Sequence, residues 1–312
     1  MFVAGATGVV GRRLIPQLVA AGHAVTGMTR SAAKADAVRA LGAEAAVADA
    51  LDPAAVREAV GRAQPEVVIH QLTAIPTAVN PRKLAEDFAR TNRLRTEGTD
   101  YLLAAARAAG ARRFLAQSFG GYMWAPGAAL ALTEEEHRAA DPPEQIREVT
   151  AAIEYVERVV PAARGIEGLA LRYGGFYGAG TQIGEGGATL EQVRKRAFPL
   201  VGDGGGVWSF VHMADVAQAT TLAMERGAAG IYNIADDEPA PVREWLPFLA
   251  EAIGAPAPRR APAWLGRLLA GETAVALMTQ VRGIVNTKAK AELGWELAYP
   301  SWRQGFRQGL SS

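Results

Sequence analysis

The 312-residue sequence contains no cysteine, which excludes disulfide bonds, thiolate nucleophiles and cysteine-ligated metals. It also lacks an excess of either charge, because 33 basic residues are balanced by 32 acidic ones. Without a basic or acidic block, neither nucleic acid nor a membrane surface is an expected partner. No apolar run approaches the roughly 20 residues that a membrane-spanning helix requires. We therefore expect a cytoplasmic protein that binds no nucleic acid and no membrane.

Histidine is also scarce, with four residues scattered along the chain at positions 23, 70, 137 and 212. Their positions show none of the short, regular spacings that metal-binding histidines have. The sequence therefore predicts no metal site.

What the sequence does contain is a regular alternation of short apolar strands and helical stretches through its first half. Strands are predicted at 2–4, 24–28, 45–48, 66–71 and 113–118, and a long helix at 84–109. This alternation predicts a parallel sheet with helices on both faces. From 120 to 143 the pattern loosens into a proline- and glycine-containing segment, which suits a loop over a site.

A glycine-rich turn lies between the first predicted strand and the first helix. Gly5, Gly8 and Gly11 have the spacing of a dinucleotide-binding loop in the required strand–turn–helix context. The first glycine permits the tight turn, the second lets the backbone approach a pyrophosphate, and the third lets the helix pack against the strand. The helix N-terminus then offers free N–H groups to the phosphates.

The end of the second strand predicts which dinucleotide is bound. An enzyme that uses NAD usually has an acidic residue there, which accepts hydrogen bonds from the ribose hydroxyls. This chain has Thr29 and Arg30, followed by Ser31. A guanidinium in place of a carboxylate favours a 2′-phosphate, so we expect NADP(H). Asp49, after the third strand, is expected to face the adenine.

These features, together with the segments LALRYGGFYGAG, SFVHMADVAQA and NTKAKAELGWELAYPSW, resemble the extended short-chain dehydrogenases/reductases, specifically the NAD(P)-dependent epimerase/dehydratase-like branch. The resemblance covers almost the whole chain. It implies a Rossmann doubly wound parallel sheet with a smaller C-terminal α/β substrate lobe. Residues 1–173, with 208–235 returning to them, would form the dinucleotide-binding core. Residues 174–207 and 236–312 would form the substrate-binding lobe.

Matching positions imply a set of residues that contact the cofactor. The predicted cofactor-binding residues are Gly5, Thr7, Gly8, Val9, Val10, Gly11, Arg30, Ser31, Asp49, Ala50, Leu72, Thr73, Gln117, Tyr173, Gly174, Gly175 and Phe176.

The chain departs from the family at its catalytic signature, a Tyr followed four residues later by a Lys. No tyrosine of this sequence has Lys at that distance, and Val149 and Ile153 occupy the two matching positions. Phe119 stands where the family has its catalytic Ser or Thr, and Arg95 stands near the place of the family's helix asparagine. The standard proton relay is therefore not expected.

Other residues are then candidates for the chemistry. Ser118 and Tyr122 follow a strand end, where sites of open α/β sheets lie, and are the predicted catalytic residues. Phe119, Trp124, Tyr177 and Trp208 are predicted to contact the substrate. The resemblance implies an Arg-Asp pair at the positions of Trp208 and Ser209, in which the Arg clamps a nucleotide diphosphate. The exchange favours a neutral, apolar or ring-bearing substrate.

The sequence thus predicts an NADP(H)-dependent oxidoreductase or isomerase for a small, non-nucleotide substrate, with an atypical proton donor. Two alternatives remain open at this point: a non-catalytic NADP(H)-binding sensor or partner-binding protein, and a nucleotide-sugar epimerase or dehydratase. A homodimer is possible through the helices predicted at 84–109 and 144–160.

Overall fold

The computed structural model describes residues 1–77, 79–80, 82–122, 130–136, 138 and 142–312. The described strands are β1 (Phe2–Ala4), β2 (Thr26–Thr29), β3 (Glu44–Val47), β4 (Val67–His70), β5 (Arg113–Phe119), β6 (Ala131–Leu132), β7 (Glu167–Tyr173), β8 (Gly175–Tyr177), β9 (Leu200–Val201), β10 (Val207–Trp208), β11 (Phe210–His212), β12 (Gly230–Ile234), β13 (Ala240–Pro241), β14 (Arg260–Ala261) and β15 (Gly283–Ile284).

The described α-helices are α1 (Val9–Ala20), α2 (Ala35–Arg39), α3 (Pro53–Ala63), α4 (Leu84–Arg95), α5 (Glu97–Ala108), α6 (Arg147–Val159), α7 (Ala188–Arg194), α8 (Met213–Glu225), α9 (Val242–Ala252), α10 (Ala263–Ala270), α11 (Glu272–Thr279), α12 (Thr287–Leu293) and α13 (Trp302–Gln308). Short 3₁₀ segments precede α2 and α6.

Seven parallel strands form the central sheet, in the order β12-β7-β5-β4-β1-β2-β3. The inner strands have apolar, fully buried centres, such as Val67, Val68 and Ile69 of β4, which have no exposed surface. Such strands need cover on both faces, and helices from the alternating segments supply it. The strand order reverses between β1 and β4, which opens a crevice at the carboxyl ends of these strands. The predicted Rossmann fold is confirmed.

A second apolar core lies in the C-terminal part of the chain. It packs α9 and α13 around the large buried side chains Trp245, Trp302 and Phe306, with short two-stranded pairings at its edges. Strand β12 returns from this part of the chain to the edge of the central sheet, where it pairs with β7. The exact boundaries predicted for the two lobes stay a prediction.

The single long helix predicted at 84–109 is wrong, because the structure breaks it at Thr96. Thr96 has φ −95° and ψ −84°, and both its N–H and its side-chain hydroxyl bond the carbonyl of Asn92. A threonine hydroxyl that bonds a carbonyl of the preceding turn bends a helix. The break makes Arg95 the last residue of α4, and α5 begins at Glu97.

We expect Gly11→Ala to destabilise the protein and to weaken dinucleotide binding. A Cβ on Gly11 would lie 2.4 Å from the carbonyl oxygen of Gly5 and 2.7 Å from that of Ala6, so the loop must move. Overpacking of this kind costs about 1–3 kcal/mol. Urea unfolding and calorimetric titration with a dinucleotide measure the two effects.

Gly61→Ala is the matched control, because Gly61 also lies within a helix but has open space where the Cβ would be. It should stabilise the protein by about 0.5–1 kcal/mol and leave binding unchanged. Equal behaviour of the two variants would show that the steric argument for Gly11 is incorrect.

Candidate active site

The glycine loop has the geometry of a phosphate cradle. Gly5 has φ +99°, and a Cβ there would lie 2.7 Å from the carbonyl oxygen of Gln71, so only glycine fits without strain. Helix α1 begins after Gly8, and no described side chain caps its first N–H groups. Gly8 is exposed and Thr7 half-buried, so these N–H donors face a ligand site. The loop therefore fits the pyrophosphate of a dinucleotide.

The ends of β2 and β3 form the adjoining part of the crevice. Arg30 is exposed there, and Asp49 lies opposite it. The Asp49 carboxylate accepts hydrogen bonds from Nη2 of Arg90 at 2.9 and 3.0 Å, and from the N–H of Leu51 at 3.1 Å. Burial opposes ionisation of Asp49, but these bonds and the nearby charge of Arg30 outweigh it and lower its pKa.

Arg90 is a residue that the sequence argument missed. Its pairing with Asp49 joins α4 to the end of β3, a contact between distant parts of the chain that no local pattern indicates. Two arginines, Arg30 and Arg90, thus flank the position expected for the adenosine. Asp49 is tied to Arg90, and its predicted contact with the adenine stays a prediction.

The segment after β4 is held in place by a neutral histidine. His70 is fully buried and its pKa falls to about 4, mainly because burial disfavours the charged form. Its Nε2 lies 3.1 Å from the carbonyl oxygen of Leu94, and its Nδ1 accepts from the N–H of Leu72 at 3.2 Å. This pattern fixes the tautomer, with the proton on Nε2. The bonds hold Leu72 and Thr73, two predicted cofactor contacts, at the crevice.

The end of β7 forms the other side of the crevice. The Tyr173 hydroxyl accepts from Nε2 of Gln71 at 3.0 Å and lies 2.8 Å from the Thr220 hydroxyl. A Cβ on Gly174 would lie 2.8 Å from the carbonyl oxygen of Ser209, so this glycine is required by a close approach of two backbone segments. Gln117, Gly175 and Phe176 lie at the same carboxyl edge. The structure thus brings the predicted cofactor residues to one edge of the sheet.

Apolar side chains occupy the place of the family's Tyr–Lys pair. Val149 and Ile153 on α6 are fully buried and pack with Phe88, Tyr122 and Val281. Neither offers a proton or a charge. The structure thus places both residues in a core. The lack of a Tyr–Lys relay stays a prediction.

Tyr122 and Phe119 form an aromatic wall beside this face. Their ring centroids are 5.3 Å apart in an edge-to-face arrangement. Tyr122 is 7% exposed, and burial raises the pKa of its phenol, although the nearby charge of Arg95 opposes that shift. A phenol with a raised pKa is protonated at neutral pH and can only donate its proton. Its predicted catalytic role stays a prediction.

Ser118 is directed away from the crevice into a buried ionic network. Its hydroxyl donates to Glu157, which is also bound by Arg138 and by Nε and Nη2 of Arg172, both at 2.9 Å. Arg138 in addition donates to the backbone carbonyl of Phe119. These contacts give Ser118 a structural role. The geometry gives no support to the catalytic role predicted for it.

Two of the predicted substrate residues pack within the C-terminal core. Tyr177 is fully buried between Phe210, His212 and Phe306, which argues for packing and against contact with a substrate. Trp208 is half-buried, lies 4.9 Å from Trp245 between ring centroids, and donates its indole N–H to the carbonyl of Leu277 at 2.9 Å.

Trp208 nevertheless borders the cluster that contains Tyr122 and Phe119. Trp124, the fourth residue predicted to contact substrate, lies outside the described residues, as does His137.

Within the described part of the chain, no group of three or more acidic or histidine side chains is placed to hold a metal ion. No described helix is both long and apolar enough to span a membrane.

Comparison with protein families decides the affiliation. The model of the NAD dependent epimerase/dehydratase family matches residues 1–235. The chain belongs to this family. The match covers the glycine loop, the crevice and all seven strands of the central sheet.

Members of this family that are similar over the full length include two reductases. A 3-diazoavenalumate denitrifying reductase from a Streptomyces species is 44% identical, and the match covers 98% of each chain. A 4-hydroxy-2-methyl-3-oxo-4-farnesyl-3,4-dihydroquinoline-1-oxide ketoreductase from Stigmatella aurantiaca is 31% identical, over all of this chain and 94% of the relative. The UDP-glucose 4-epimerase of Thermus thermophilus, solved in complex with NAD, is 25% identical with a TM-score of 0.73, over 99% and 97% of the two chains.

These comparisons confirm that the chain is an oxidoreductase and that its cofactor is a nicotinamide dinucleotide. They do not favour the non-catalytic protein or the nucleotide-sugar enzyme that the sequence left open. The preference for NADP(H) over NAD(H) stays a prediction.

The buried network yields a stability test. Burial alone would raise the pKa of Glu157, but Arg138 and Arg172 outweigh it and lower the value to about 2 from 4.5. A carboxylate with a depressed folded-state pKa stabilises the protein above pH 4.5, and this contribution is lost as the pH falls from 4.5 through about 2. Glu157→Gln should lose it at neutral pH and cost about 3–5 kcal/mol, because it leaves the two arginines unpaired.

The exposed Glu154→Gln on the same helix is the control and should change stability little. Urea unfolding of both variants between pH 7 and about pH 3 checks the prediction. Equal stabilities at neutral pH, or an acid-induced loss that persists unchanged in Glu157→Gln, would contradict it.

Proposed function

We propose that the protein is a reductase that uses NADPH to reduce a ring-bearing, electron-poor substrate, in the first place a diazo compound. One observation carries this proposal: the chain combines an intact dinucleotide cradle with a face of α6 from which the family's proton donor and its lysine are missing. An enzyme of this design is suited to a reaction that consumes a hydride and no proton.

Reduction of an aryl diazonium group is such a reaction. The glycine loop from Gly5 to Gly11 would hold the dinucleotide, which would supply the hydride for the new C–H bond on the ring. The C–N bond breaks, and its electron pair leaves with dinitrogen. The nicotinamide is oxidised, the arene carbon is reduced, and no proton enters or leaves. The name of the Streptomyces relative, a denitrifying reductase for a diazo compound, supports the same chemistry.

The side chains of the crevice suit this task. The half-buried ring of Phe119 presents an aromatic surface, backed by the core of Val149, Ile153 and Tyr122. This surface would keep water from the reacting carbon, where water would compete with hydride. Trp208 adds an aromatic face without a charge. A nucleotide diphosphate needs fixed cations when it leaves water, and the side chains of Trp208 and Ser209 carry none, so this position favours an aromatic ring over a nucleotide sugar.

A ketone is the second candidate substrate, supported by the ketoreductase from Stigmatella aurantiaca. Carbonyl reduction needs a proton as well as a hydride. The protonated phenol of Tyr122 is the proposed donor for that step, because the described wall offers no other acidic hydrogen next to Phe119.

The variant Tyr122→Phe distinguishes the two candidate substrates, the diazo compound and the ketone. With para-carboxybenzenediazonium as substrate, turnover should stay within a few-fold of the wild type, because no proton is needed. With a cyclic aryl ketone it should fall by about 10²-fold or more, the usual scale of general acid catalysis. Loss of NADPH absorbance and chromatography of the arene measure the two reactions.

Isotopes test the hydride step itself. NADPH deuterated at the transferred position should place deuterium on the arene, and the reaction in D₂O should place none. An arene labelled from the solvent, or an absence of NADPH oxidation with every diazo compound tried, would rule out the proposed reduction.

For the cofactor we propose NADP(H), with Arg30 on the 2′-phosphate and Arg90 beside it. Arg30→Ala should weaken NADP⁺ binding about tenfold to a hundredfold, the usual worth of a charge-assisted phosphate contact, and leave NAD⁺ binding unchanged. Arg39→Ala, an exposed arginine of the neighbouring helix α2, is the control. Calorimetric titration with both dinucleotides measures the two affinities. Tighter binding of NAD⁺ than of NADP⁺ by the wild type would contradict the assignment.

We further propose that residues 1–173 and 208–235 bind the dinucleotide, and that 174–207 and 236–312 complete the substrate side. The pairing of β12 with β7 and the separate core around Trp245 and Trp302 support this division.

A further inference from the structure

Two polar side chains on α4 have buried atoms without partners among the described residues. The Nε and Nη1 atoms of Arg95, and both polar side-chain atoms of Asn92, are shielded from solvent and make no hydrogen bond there. Arg95 is only 4% exposed. The two residues are three positions apart on one helix, so they lie on the same face. Buried polar groups are normally satisfied, and an unpaired buried cation is among the costliest exceptions.

The charges around Arg95 do not balance. Three arginines are buried in this region, namely Arg95, Arg138 and Arg172, and Glu157 is the one buried carboxylate that the described residues place among them. Arg138 and Arg172 both bind Glu157 directly, whereas Arg95 does not. Burial lowers the pKa of Arg95 to about 10, which leaves it cationic at neutral pH. Glu157 acts on Arg95 only from a distance, so Arg95 is a buried cation without a carboxylate partner of its own among the described residues.

This cation lies beside the aromatic wall. Leu84 and Phe88, on the same face of α4, pack in one cluster with Tyr122, Val149 and Ile153. Arg95 continues that face two turns after Phe88 and acts electrostatically on the Tyr122 phenol. Helix α4 thus places a guanidinium next to the aromatic wall, where α6 supplies none.

We propose that Arg95, with the Asn92 amide, binds an anionic group of the substrate, a carboxylate or a phenolate carried by its ring. This inference rests on the proposed function for the ring and the reaction, and adds the charge of the substrate. A guanidinium and an amide N–H are suitable partners for a carboxylate. The ribose hydroxyls of the dinucleotide are neutral and would leave the buried charge uncompensated.

Binding of inert anions tests the inference without any turnover. Cinnamate, para-hydroxycinnamate and benzoate, each beside its methyl ester, are titrated calorimetrically into the NADP⁺-loaded protein. The wild type should bind at least one carboxylate and prefer it to its ester. Arg95→Met should weaken carboxylate binding about tenfold to a hundredfold, leave ester binding unchanged and leave the Kd for NADP⁺ within twofold. Arg95→Lys should recover part of the loss.

The unfolding temperature of Arg95→Met provides a second test. Loss of an arginine with a purely structural role would lower this temperature. Removal of an unpaired buried charge relieves a cost, so Arg95→Met should unfold at the same or a higher temperature than the wild type without ligand. The control is Arg93→Met on the same helix, an exposed residue paired with Glu97, which should not affect anion binding.

Three results would overturn the inference: no saturable binding of any of the three carboxylates, equal binding of acid and ester, or a weakened Kd for NADP⁺ with unchanged carboxylate binding. The last would assign Arg95 to the dinucleotide. Failure of the proposed reduction is distinguishable, because it would leave diazo compounds unreduced while Arg95→Met still abolished the preference for carboxylates.

Discussion

The ionic network around Glu157 is the interaction on which the geometry of the crevice depends. A single carboxylate on α6 holds Arg172 of β7, Ser118 of β5 and Arg138 of the following segment, and Arg138 in turn fixes the backbone of Phe119. Two strands, one helix and the aromatic wall are thereby set relative to one another. Glu157, and not the family's catalytic pair, fixes the orientation of α6. Apolar residues can therefore stand at the positions of that pair without loss of this orientation.

Local features of this fold were predictable from the sequence. The glycine loop is specified by three residues within seven positions, and the strands by short apolar runs, so both depend on neighbours in the chain. The break at Thr96 was not predictable from the sequence, because it depends on one hydroxyl that bonds a carbonyl of the preceding turn. The continuous helical pattern on both sides concealed it.

The sequence predicted those residues of the candidate site whose position follows from their neighbours in the chain. Arg30 follows a strand end and could be located from the sequence, whereas the pairing of Arg90 with Asp49 spans 41 positions. The direction of a side chain was equally hidden: Ser118 and Phe119 are adjacent on β5, and the pleat of a strand sends alternate residues to opposite faces. Ser118 therefore bonds Glu157 in the interior, while Phe119 meets Tyr122.

The break at Thr96 also has an electrostatic consequence for Arg95. An unbroken helix would hold this residue in mid-span, but the break makes it the last residue of α4, at the end where the macrodipole of a helix is negative. That end of the macrodipole offsets part of the cost of an enclosed cation before any ligand arrives. The protein can therefore keep a guanidinium charged and in position in the resting state, ready for an incoming anion.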